Sequence, residues 1–90
     1  MNNAIKAANS FANWLKKQGH SDAQVWDKKK VEEMEWGSGT ADAAVCLEGG
    51  PRLAEMQVFE RGWFKNGMQP FEDKGVFIEP YSEWLVYFYL

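Results

Sequence analysis

The sequence predicts an α+β domain, with an N-terminal helix packed on an antiparallel sheet of four or five strands. Three observations carry that expectation. Apolar residues over 3–18 recur at three- and four-residue spacing, the period of a helix with one buried face. Farther on, short apolar runs at Ala43–Leu47 and Glu83–Tyr89 are set off by Gly, Pro and Asn turn signals, the pattern of strands. Hydrophobic residues make up 46% of the 90 and aromatics 16%, too rich for a disordered chain and enough for one small core.

In the helix, Ile5, Ala8, Phe11, Ala12 and Leu15 form the stripe, widened by Ala4, Ala7 and Trp14. Asn2 or Asn3 offers a side-chain cap at the start. Lys16 and Lys17 suit the negative end of the helix dipole, and Gly19 is placed to end the helix in a left-handed conformation.

The next segment admits two readings. Ser21-Asp22-Ala23-Gln24 matches a capping box, which would open a short second helix running toward Lys29. A strand around Gln24–Trp26 is the alternative. Met34 and Trp36 alternate with Glu33 and Glu35, which predicts a strand over Val31–Trp36. Gly37-Ser38-Gly39-Thr40 reads as a loop, Ala43–Leu47 as a buried strand and Gly49-Gly50-Pro51 as a turn. Leu53–Phe64 reads as a strand with a bulge at Gly62, and Asn66-Gly67 as a hairpin turn. Asp73-Lys74-Gly75 is another turn. Val76–Glu79 and Glu83–Tyr89 are strands joined through Pro80-Tyr81-Ser82. The unbroken apolar run from Trp84 predicts a terminal strand buried on both faces or covered by the helix.

Charge is unevenly divided. Residues 1–30 hold six lysines against two aspartates, whereas residues 31–90 hold four basic against eleven acidic residues, for a net charge of −3 over the chain. One cysteine allows no internal disulfide and fits a reducing compartment. The N-terminus lacks the apolar stretch of a signal peptide, and no apolar run approaches the roughly 20 residues of a membrane span. The expectation is a single cytoplasmic domain over residues 1–90 that does not engage a membrane.

Motif chemistry is thin. His20 and Cys46 could in principle serve a small enzyme as base and nucleophile. However, His20 follows a helix end beside Gly19, and Cys46 sits in Ala43-Ala44-Val45-Cys46-Leu47, where apolar surroundings make a thiol inert. One Cys and one His are too few for a zinc site. No EF-hand loop or phosphate-binding loop is present. No cofactor, metal or catalytic residue is therefore expected. Lys28-Lys29-Lys30, with Trp14 or Trp26 as stacking platforms, would suit a nucleic-acid-binding module. Asp27 and Glu32-Glu33 flank those lysines and the net charge is negative, so direct nucleic-acid binding is disfavoured.

Nine of the fourteen aromatic residues lie after residue 62. Leu85, Tyr87 and Tyr89 alternate with Trp84, Val86 and Phe88, so both faces of the last strand are apolar. Either both are core or one meets a partner. The expected function is thus a non-enzymatic, acidic protein-binding module whose partner has a basic surface, most simply as an antagonist of a nucleic-acid-handling protein. Small phage inhibitors of host defence, such as anti-CRISPR proteins, share its size, acidity and lack of motifs. A homodimeric antitoxin or immunity-type protein is the nearest alternative. The expected contact residues are Glu32, Glu33, Glu35, Trp36, Asp42, Tyr87 and Tyr89.

Overall fold

A computed structural model describes residues 2–34, 41–47, 67–82 and 85–90. The elements are α1 (Asn3–Lys17), β1 (Ala23–Asp27), α2 (Lys28–Met34), β2 (Ala43–Leu47), α3 (Gln69–Glu72), β3 (Phe77–Ser82) and β4 (Leu85–Tyr89). The four strands form one sheet in the order β1-β2-β4-β3, with every neighbouring pair antiparallel. The fold is α+β, as expected.

Helix α1 begins where Asn2 Oδ1 accepts a hydrogen bond from Ile5 N at 2.9 Å, a side-chain cap. It ends in a Schellman motif. His20 N donates to Leu15 O and Gly19 N to Lys16 O, with Gly19 at φ 96°. The same device closes α3, where Gly75 sits at φ 89° and Val76 N donates to Phe71 O. Both glycines hold left-handed backbone that other residues adopt at a cost.

The sheet is covered on both faces, which explains why β2 and β4 are apolar without alternation. On one face Ala4, Ala7, Ala8, Phe11, Ala12 and Leu15 of α1 pack on Val45, Leu47, Val86 and Phe88. The four alanines set the helix close to the strands. Its buried stripe is centred on Ala4, Ala7 and Ala8, so Ile5 and Trp14 are only half-buried at its edges. On the other face Val31 of α2 joins Trp26, Ala41, Ala44, Cys46, Leu85 and Tyr87.

Of the two readings open at Ser21, the strand holds: Ala23 N donates to His20 O in a turn, and β1 follows at once. Other expectations are corrected. The strand expected over Val31–Trp36 is instead helical through Met34. Asp27 Oδ1 accepts from Lys30 N at 2.9 Å and so caps α2. Val31 and Met34 are three apart, which places both on the inward face. Two repeats of polar–apolar alternation were too short a signal against seven residues of mostly good helix formers. At the other end of the chain, β3 runs through Pro80 to Ser82, where a turn was expected. Gly67 leads into α3 rather than into a second hairpin strand. The expected loop at 37–40, the turn at 49–51 and the strand at 53–64 lie outside the described residues, as does Asn66.

Candidate functional site: an aromatic and acidic outer strand

Among the described residues the large hydrophobic side chains left exposed are Phe77 at 63%, Tyr81 at 52% and Leu90 at 61%. All three lie on β3 or just after β4. The chain's topology puts them there. Among the described strands β3 is outermost, next to β4, and residues 77 and 79 point to the same side of it. Phe77 is registered against Tyr89 and Glu79 against Tyr87.

Between Pro80 and Ser82 the register shifts, so that Ser82 rather than Tyr81 pairs with Leu85. Tyr81 is the extra residue of this bulge and is turned toward solvent. Rings then run in a tilted chain across the two strands: Phe77 to Tyr89 at 6.0 Å, Tyr89 to Tyr87 at 6.2 Å, and Tyr87 to Tyr81 at 5.2 Å between centroids. Such tilted contacts are the favoured geometry for aromatic pairs. Glu79 lies within this chain and accepts a hydrogen bond from the Tyr89 hydroxyl at 2.9 Å. Burial pushes the Tyr87 hydroxyl above the ordinary tyrosine value, and Tyr81 and Glu79 add to the effect.

The expected contact residues divide. Glu32 and Glu33 are exposed on α2, whose inward residue Val31 packs on the same sheet face as Tyr87. Glu35 and Trp36 lie outside the described residues. Asp42 is engaged within the chain: its Oδ2 accepts from Leu90 N at 2.9 Å and its Oδ1 is 3.7 Å from Lys28 Nζ. Tyr87, expected on the contact surface, is only 1% exposed and belongs to the second core, in one cluster with Trp26, Val31, Ala44 and Leu85. Tyr89 is half-buried, its ring against Phe77.

Phe77, Glu79 and Tyr81 are the site residues that the sequence reading passed over. Their signal was available. It was Pro80, since a proline inside a strand marks an outer one.

Cys46 is buried in the second core, and His20 lends its backbone to the end of α1. Among the described residues, no three His, Cys, Asp or Glu side chains gather as a metal site would require. No described helix is long and apolar enough to cross a membrane. Among the described residues β3 exposes the rings of Phe77 and Tyr81 on either side of one carboxylate, Glu79.

These features define an α+β protein with a two-sided core and an aromatic, acidic outer strand. Compared with protein-family models, curated proteins and solved structures, the chain matches none of them.

Proposed function

We propose that the chain is a non-catalytic protein-binding module whose contact surface is β3 together with Tyr89 and Leu90. Its partner presents arginine or lysine side chains, as the working surface of a nucleic-acid-handling protein does. The observation that carries this reading is that exposed Phe77 and Tyr81 flank Glu79 on β3. Exposed apolar side chains gathered in one place mark contact surfaces, and aromatic residues are frequent anchors of interfaces. A guanidinium can stack on a ring face while pairing with a neighbouring carboxylate, which is the combination Phe77, Tyr81 and Glu79 provide. Glu32 and Glu33, on the same side of the sheet, add negative potential that speeds encounter with a basic partner. Pro80 and the bulge at Tyr81 blunt the strand edge against pairing with another copy, which favours side-chain contact over sheet extension there.

The test begins by capturing the partner from extract of the source cell and purifying it. Affinity is then measured by calorimetry at low and moderate salt for the wild type, Phe77→Ala/Tyr81→Ala, Glu79→Lys and Glu32→Lys/Glu33→Lys. The aromatic pair and Glu79→Lys are expected to weaken binding at least tenfold. The α2 variant should mainly slow association at low salt. Affinities within twofold of wild type for all three variants, with unchanged melting temperatures, would reject the reading.

A further inference from the structure

We infer that β3 takes an arginine side chain of the partner in preference to a lysine, a step that rests on the contact surface proposed above. The Tyr89 hydroxyl sets this preference by orienting the Glu79 carboxylate.

Glu79 is half-buried. Its Oε1 accepts the Tyr89 hydroxyl at 2.9 Å, and among the described residues no lysine or arginine pairs with it. A carboxylate drawn partly out of water is stabilised by a cation beside it. The bond from Tyr89 uses one of its roughly four lone-pair sites and leaves the rest for incoming donors. Tyr89 is itself held, with its ring 6.0 Å from that of Phe77 and 6.2 Å from that of Tyr87 between centroids. The carboxylate is therefore presented in one orientation from a packed support.

Fixed orientation is what separates the two cations. Residues 77 and 79 share a side of the strand and stand about 7 Å apart along it, so a cation over the exposed Phe77 ring reaches the Glu79 carboxylate. A guanidinium is planar. It stacks on a ring and sends two parallel N–H donors to one carboxylate. An ammonium is a compact, strongly hydrated point charge, which gains nothing from a carboxylate held in one plane. A carboxylate free to turn would serve either cation. A quaternary ammonium would sit over a ring but has no N–H for Glu79.

The probes are N-acetyl-arginine methylamide, N-acetyl-lysine methylamide and tetramethylammonium. Each is titrated into the isotope-labelled full chain and followed by NMR of the β3 amides and the Phe77 and Tyr81 rings. Arginine is expected to bind at least threefold more tightly than lysine, with tetramethylammonium weakest. Tyr89→Phe deletes the hydroxyl alone. It should abolish the preference while leaving lysine binding unchanged, whereas a general loosening of the fold would weaken both. Glu79→Gln keeps an acceptor for Tyr89 but removes the charge, and should weaken both cations at least threefold. Equal binding of arginine and lysine, a preference that survives Tyr89→Phe, or tetramethylammonium binding as tightly as arginine would each overturn the inference. So would the absence of shifts on β3 with all three probes. Those results leave the contact surface standing if the purified partner still loses affinity with Phe77→Ala/Tyr81→Ala. Unchanged partner affinity in that variant removes the surface, and the arginine preference with it.

Discussion

Asp42 Oδ2 accepts a hydrogen bond from the backbone N–H of Leu90 at 2.9 Å, joining positions 48 apart in sequence. Asp42 N in turn donates to Phe88 O, so the residue entering β2 is fastened to the end of β4 through both its backbone and its side chain. The carboxylate also meets Lys28 Nζ at 3.7 Å. One aspartate thus ties β2, β4 and α2 together, beside the outer strand that carries Phe77.

The first prediction concerns that tie. Asp42→Ala should cost about 0.5–1.5 kcal/mol, the net worth of a hydrogen bond whose donor, the exposed Leu90 amide, water can reach. Lys28→Ala should cost less than about 0.5 kcal/mol, since its side chain is 53% exposed and water screens the pair. Thermal melts of both variants and of the double mutant test this. Equal losses from the two single variants would mean that the ion pair, rather than the backbone clamp, dominates.

A contrast between two phenylalanines on the β3–β4 pair tests the division between core and contact surface. Phe88 is fully buried against Phe11, with ring centroids 6.4 Å apart. Its replacement by alanine should cost about 3–5 kcal/mol, which brings a domain this small close to unfolding. Phe77→Ala, at an exposed position, should change stability by less than about 0.5 kcal/mol. Chemical denaturation measures both. A large loss from Phe77→Ala would make it a structural residue and remove it from the proposed contact surface.

Alkaline stability supplies the third prediction. The Tyr87 hydroxyl titrates above the ordinary tyrosine value of 10.0 in the folded chain, chiefly because of burial. The folded state therefore holds its proton when the unfolded state has begun to lose it. Its contribution is complete below pH 10 and is lost as pH rises through the raised folded value. Urea melts of the wild type and Tyr87→Phe from pH 9 to pH 11.5 should show a gentler alkaline decline for the variant. Parallel declines would place Tyr87 in contact with solvent.

Much of the fold could be read locally. The Asn2 cap, the lysines of the last turn and Gly19 mark both ends of α1, because capping depends on residues a few positions apart. The unbroken apolar runs of β2 and β4 likewise announced strands, though for β4 the sequence left open whether one face met a partner. The outer strand was harder. Pro80 suggested a turn, and only pairing with β4 makes it part of an edge strand. Of the proposed surface, the sequence reading named Tyr89, Glu32 and Glu33 but not Phe77, Glu79 or Tyr81, whose exposure on β3 follows from the pairing with β4.

By itself, then, the sequence determined the α+β class, the limits of α1, the buried strands and the acidic charge of the chain after residue 30. Each of these follows from composition or from neighbours within about one helical turn. Only the tertiary structure decided that Lys28–Met34 is a helix, that β2 and β4 lie inside the sheet, and that Tyr87 is core while Tyr81 is surface. The last distinction cannot be local. The two tyrosines touch, and which one meets water depends on a bulge in one strand and on the other's place in a core cluster with Trp26, Val31 and Cys46, far away in sequence.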